Sequence, residues 1–201
     1  MARRTKEDAE KTRESLLDAA EKVFLRKGVA NASLEEIARE AGLTRGAVYW
    51  HFENKCALFK AMHERVKLPM DRLFEEAVGG AEPLKALREF CIHILQQTGK
   101  DERTRNVFTI VKLRSEQFDP VVAGQRAITH RTEVLAKFQR LFERAKREGK
   151  LAEGISPAIA AQALHSFFSG VFWDYLRFPD SYDIVKLAPK LVDMFFRGIE
   201  A

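Results

Sequence analysis

The stretch Thr44-Arg45-Gly46-Ala47-Val48-Tyr49-Trp50-His51-Phe52 decides the fold. Thr44 is an N-cap residue type, with a hydroxyl that can accept from a backbone N–H two or three residues on. Val48 and Phe52, four apart, give a short helix one inward face. The other face carries Arg45, Tyr49 and His51, with Trp50 beside them and Gly46 permitting close backbone approach. Just upstream, Ser33-Leu34-Glu35-Glu36 is a capping box. Leu34, Ile37, Ala38 and Ala41 then repeat at helical spacing, and Gly42 stops the helix. Two short helices joined by about four residues with a glycine in the turn predict a helix-turn-helix, whose second helix would lie in the major groove of DNA. Caps and a central glycine also suit any small helical hairpin, so an all-α enzyme or a small-molecule carrier without DNA binding stands as the alternative.

Short helices cannot bury enough apolar area alone, so neighbours must complete a bundle. A helix from about Glu7 to Lys27, with Leu16, Leu17, Ala20, Val23 and Phe24 as its stripe and Gly28 as its stop, is expected to pack over the pair. Another begins after Asn54 as N-cap and continues toward Glu76, which puts Lys55 at its first position. A cation there weakly opposes the helix dipole, which points to a phosphate contact. The predicted DNA-binding set is Ser33, Thr44, Arg45, Gly46, Tyr49, Trp50, His51 and Lys55, within a domain of residues 1–55. Arg3, Arg4 and Lys6 form a basic arm for which phosphate contact and a solvated terminus are both open.

The run from Leu16 to Phe59, and above all Ser33 to Ala38, Ala41-Gly42, Thr44 to Phe52, Asn54-Lys55 and Leu58-Phe59, resembles the DNA-binding domain of TetR-family repressors. The opening Met1-Ala2-Arg3-Arg4-Thr5-Lys6 and the wording of residues 45–52 look like the AcrR branch, whose members repress multidrug efflux operons. The resemblance implies a homodimeric, ligand-responsive repressor with a double-stranded DNA operator and a small-molecule inducer as partners. Beyond residue 80 only length and helical layout agree with such a family.

Composition bounds the rest. At 201 residues and 46% hydrophobic content, the chain can hold one large domain or a small one and a larger one. No apolar run reaches membrane-span length and no apolar segment follows the charged start, so a cytoplasmic protein without membrane contact is expected. Residues 1–55 hold 11 Lys/Arg against 10 Asp/Glu, so the overall charge of +5 is not concentrated there. Placement matters more, since Glu53 is the only acid among residues 44–55. Cys56 and Cys91 lack metal-ligand spacing and read as packing residues. There is no phosphate-cradling glycine loop, nucleophile elbow or metal motif, so no catalysis, metal or cofactor is expected.

Residues 56–201 are expected to form an all-α sensing and dimerisation domain. After the helix kinked at Pro69 and a turn around Gly79-Gly80, helices are predicted at about 83–98, 101–118, 120–147, 156–178 and 184–199. Pro189 suggests that the last begins nearer Ala188 or bends there. The final two helices are too apolar for single-sided packing, which predicts a four-helix dimer interface through Leu164, Phe168, Val171, Phe172, Leu191 and Phe195. Phe74, Phe90, Phe108, Gln117, Phe118, Phe138, Phe168 and Phe172 are the candidate ligand-pocket residues, although aromatic stripes are usually packing. Gln96, Glu116, His93 and His165 are further polar candidates, His93 lying opposite an apolar stripe and hence at the surface.

Overall fold

Helix signals in the sequence translate into a chain of α-helices, described in a computed structural model for residues 6–78, 80–115 and 120–201. In order they are α1 (Lys6–Lys27), α2 (Leu34–Glu40), α3 (Arg45–His51), α4 (Lys55–Val78), α5 (Pro83–Lys100), α6 (Glu102–Leu113), α7 (Pro120–Arg147), α8 (Pro157–Arg177) and α9 (Ile184–Arg197). An isolated antiparallel bridge between Leu151 and Glu200 is the one β-type pairing among the described residues. The helix expected over 101–118 ends at Leu113, whereas α9 starts at Ile184 as first drawn, with Asp183 as N-cap, and runs on through Pro189 rather than beginning near Ala188.

Two compact units emerge: Met1–Leu68 with Asn106–Ala123, and Pro69–Arg105 with Gly124–Ala201. The chain therefore changes unit within α4 at Pro69, within α6 at Asn106 and within α7 at Gly124.

The first unit is organised by α1. Leu16, Leu17, Ala20, Val23 and Phe24 are fully buried, as the stripe predicted, and Phe24 meets Phe59 of α4 edge-on at 6.1 Å. Gly28 ends α1 at φ +79°, a left-handed conformation that glycine adopts without a Cβ penalty. The next residue, Val29, donates its N–H to the Arg114 carbonyl just past α6 at 3.0 Å. Arg65 of α4 faces three carboxylates spaced along α1: Asp18 at 2.7 Å, Glu14 at 3.1 Å and Glu21 at 3.5 Å. Glu21 is buried and also accepts from Asn106 Nδ2 at 3.0 Å, so α1, α4 and α6 meet at one polar centre. Burial disfavours the Arg65 charge, but the Asp18 and Glu14 hydrogen bonds outweigh it and leave its pKa above the ordinary value.

In the second unit α5 and α9 make the broadest helix pairing among the described residues. Gly99 permits it, because a Cβ there would lie 2.6 Å from Ile184 Cγ2 and 2.8 Å from Val185 Cγ2. Pro189 has no N–H to give to Val185, four residues earlier, which leaves a helical carbonyl without its usual donor. Gln96 of α5 donates its side-chain amide to that carbonyl at 3.0 Å. Gln96 is thus engaged in joining two helices, a different task from the ligand contact its sequence position suggested. His93 is exposed, as its place opposite the Leu84, Leu87, Cys91, Ile94 and Leu95 stripe implied.

Candidate nucleic-acid interface

Local capping sets the geometry of the helical pair. Ser33 Oγ accepts from the Glu36 N–H at 3.1 Å while Glu36 Oε2 accepts from the Ser33 N–H at 3.1 Å, the reciprocal box read from the sequence. Lys27 also donates to Glu36, and with the Ser33 N–H it holds the half-buried Glu36 carboxyl down to a pKa of about 2. Gly42, at φ +67°, then makes the turn. Thr44 Oγ1 accepts from the Ala47 N–H at 3.3 Å and starts α3. Val48 is fully buried and Phe52 nearly so, which fixes the roll of the helix.

With that roll, Thr44, Arg45, Gly46, Tyr49 and Trp50 lie on the exposed side, and Trp50 is 71% exposed. Ser33 is exposed at the start of α2. Arg45 Nη2 donates to the Tyr49 hydroxyl at 3.3 Å, and its guanidinium carbon lies 5.4 Å from the Tyr49 ring centre. No acidic residue occupies the first turn of α3, so Arg45 sits at the positive end of the helix dipole without a local counter-charge on that turn. Gly46 has negative φ, and a Cβ there would meet only Thr44 Oγ1, at 3.9 Å. Nothing inside the protein therefore requires glycine at this position. His51 is half-buried, its ring edge-on to Trp50 at 4.5 Å.

Lys55 has a role that its sequence position did not suggest. Asn54 caps α4 as expected, its Oδ1 accepting from the Ala57 N–H at 2.9 Å. The Lys55 ammonium, however, donates to the carbonyls of Ala30 at 2.9 Å and Ala32 at 2.7 Å, in the turn between α1 and α2. The ammonium that the sequence pointed toward an external phosphate is thus tied to the chain's own backbone. Partial burial lowers its pKa, while the two carbonyls favour the charged form.

The other predicted sets divide. Phe74, Phe90 and Phe138 come together in the second unit, with Phe74 edge-on to Phe90 at 5.1 Å and 6.1 Å from Phe138. Lys137 lies over the Phe74 ring at 5.2 Å and pairs with Glu75 at 3.1 Å and Asp71 at 3.4 Å. Phe108 belongs to the first unit, while Phe168 and Phe172 stack on each other along α8 at 5.9 Å. Gln117, Phe118, Glu116, Arg3 and Arg4 lie outside the described residues. Of the residues assigned to a dimer interface, Leu164 and Phe172 are already buried within the single chain. Phe168, Val171, Leu191 and Phe195 are half-buried, and Phe195 stacks on Phe167 at 5.4 Å. The most exposed apolar side chains of α8 and α9 are Ile159 and Met194, neither of which was in the predicted interface set. Their signal was an apolar residue outside the central stripe of an already crowded helix.

Known proteins share this arrangement. The sequence profile of the bacterial regulatory proteins of the tetR family matches residues 16–62, and that of the C-terminal region of MAATS-type transcriptional repressors matches residues 82–200. The HTH-type transcriptional regulator AcrR of Shigella flexneri is 36% identical over 94% of this chain and 89% of its own. The crystal structure of NalD, the secondary repressor of the MexAB-OprM multidrug efflux pump in Pseudomonas aeruginosa, superimposes with a TM-score of 0.86 at 40% identity, covering 95% of this chain and 98% of that one. SmeT, the repressor of the Stenotrophomonas maltophilia efflux pump SmeDEF, in its complex with triclosan has a TM-score of 0.86 at 34% identity, covering 95% of this chain and 92% of that one. These relatives are transcriptional regulators and set aside the enzyme alternative. A capped helical pair at the N-terminus, the helical remainder, and profile matches over both place the chain in the tetR family of bacterial regulatory proteins.

Proposed function

We propose that this protein is a cytoplasmic, homodimeric repressor of a multidrug efflux operon, released from its operator by a small apolar or amphipathic ligand. The efflux assignment rests on the relatives that repress such pumps. Residues 1–55 bind double-stranded DNA and residues 56–201 sense ligand and dimerise. Gly46 carries the reading. Glycine in a helix costs about 1 kcal/mol relative to alanine, and no internal contact or backbone angle demands it here. Its benefit must come from something that approaches the exposed side of α3, beside Arg45, Tyr49 and Trp50. His51 and the caps Ser33 and Thr44 complete that surface.

Gly46→Ala separates function from structure by sign. Its thermal midpoint should rise, while affinity for DNA taken from beside its own gene should fall at least tenfold in a gel shift. Unchanged DNA affinity in the more stable variant would refute the interface.

Phe168, Val171, Leu191 and Phe195, extended by Ile159 and Met194, form the proposed dimer surface, a four-helix bundle of α8 and α9 from each subunit. The ligand, a bulky compound that is aromatic or cationic, enters near Phe74, Phe90 and Phe138. Induction is a population shift: a ligand that weakens operator binding about 100-fold must prefer the DNA-incompetent state by roughly 2.7 kcal/mol. The connecting element is α4, which changes compact unit at Pro69, where the helix lacks a hydrogen bond to the Arg65 carbonyl. Pro69→Ala should alter the coupling and leave ligand affinity of the DNA-free dimer nearly unchanged.

A further inference from the structure

The pair formed by Arg45 and Tyr49 carries information beyond the exposure of either residue. Side chains on a helix lean toward its N-terminus, so the ring at position 49 reaches back over the turn that bears residue 45. The observed contact has two parts, a hydrogen bond from Nη2 to the hydroxyl and the guanidinium over the ring. Both residues are exposed, and the contact buries no core surface that the fold needs. An arginine without such a partner would sample many rotamers and lose them on binding. One held in place has less freedom to lose. Of its five donors one N–H is used by Tyr49, and the rest still include a two-pronged edge of the kind that reads guanine O6 and N7.

We propose that Tyr49 is a positioning residue for base readout: its hydroxyl and ring hold the Arg45 guanidinium on the exposed face of α3 in the orientation that meets a guanine, so that Tyr49 acts on sequence specificity through Arg45. The inference rests on the DNA-binding reading above. It differs from that reading in assigning Tyr49 no separate contact to phosphate or base. A tyrosine that touched a phosphate would weaken binding to every sequence alike. A tyrosine that positions an arginine affects only sequences the arginine can read.

A double-mutant cycle distinguishes these roles. The probe is the shortest DNA fragment from beside the gene that the wild-type protein protects in footprinting, together with a random duplex and single-base variants of the fragment. Tyr49→Phe keeps the ring and removes the hydroxyl, and Tyr49→Leu removes both. Circular dichroism confirms folding, which these exposed substitutions should leave intact. In the wild-type background Tyr49→Phe should lower operator affinity about three- to tenfold, in keeping with the cost of ordering one long side chain. Tyr49→Leu should lower it further. In an Arg45→Ala background neither change should have a further effect, and both single-residue changes should relax preference at the same base step. Random-duplex affinity and the salt slope should be the same for wild type and Tyr49→Phe. Equal losses in both backgrounds, a loss shared by the random duplex, or no loss from Tyr49→Phe would each overturn the positioning role. A wild-type protein that protects no fragment and prefers no duplex over random DNA would instead overturn the DNA-binding reading itself.

Discussion

Replacing Lys55 with methionine separates an internal clamp from an external contact. Methionine keeps most of the unbranched stem and removes the ammonium, so the Ala30 and Ala32 carbonyls lose the donor now at 2.9 and 2.7 Å. Hydrogen bonds to a charged group contribute about 1.5–3 kcal/mol each. Both lie in a partly buried turn where water can replace part of the loss, which puts the total at about 2–3 kcal/mol. That loss falls on the junction of α1, α2 and α4, and its direct readout is amide hydrogen exchange in those helices. Protection there should drop about 30- to 150-fold, since every 1.4 kcal/mol is a factor of ten. Amides of α8 and α9, in the other compact unit, should change far less. The opposite outcome is equally readable. Unchanged protection, with a salt dependence of DNA binding reduced by about one unit, would mean that Lys55 serves a phosphate and that the clamp adds nothing.

Other expectations follow from single contacts. Gly99→Ala should destabilise the protein by about 1–3 kcal/mol, because the methyls it would strike sit on β-branched carbons that cannot swing away freely; an unchanged thermal midpoint would show that the α5 and α9 seam is looser than described. The Glu36 carboxyl should titrate near 2 by NMR rather than at the usual 4.3 or so. Its folded value is depressed, so its contribution is fully present above the unfolded pKa and is lost only as pH falls through about 2; an ordinary titration would remove the Lys27 and Ser33 contacts from the account. Burial pushes the Cys91 thiol up to about 12, so a thiol reagent at pH 8 should leave it unmodified in the native protein while Cys56, half-buried, is the site open to reaction. Rapid labelling of both cysteines would contradict that burial.

Short-range chemistry was legible in the sequence, and long-range chemistry was not. The Ser33 box, the Thr44 and Asn54 caps, the Gly28 and Gly42 stops and the α1 stripe all involve partners within a few residues, and each stands where it was expected. The internal contacts of Lys55 were not legible, because its acceptors lie 23 and 25 residues back and are brought near only by packing of α1 and α2. The bond made by Gln96 was hidden for the same reason, its acceptor being 89 residues away. On α8, apolar residues most of the way round gave no periodicity by which to separate the face that meets the chain's own core from the face left outside. Leu164 and Phe172 proved to be on the first, and Ile159 on the second. At the exposed surface of α3 the sequence supplied residue types but not the Arg45 to Tyr49 contact, which needs the actual rotamers.

The amide bridge from Gln96 to Val185 makes two distant positions dependent on each other in mutational history. While residue 189 is proline, a change of Gln96 to leucine strands a helical carbonyl; once residue 189 can supply an N–H, the same change becomes nearly harmless. A lineage could therefore lose the proline first and the glutamine later, but the reverse order passes through a weakened protein. The pair should accordingly behave as a one-way ratchet in laboratory evolution, with escape at position 189 preceding drift at position 96.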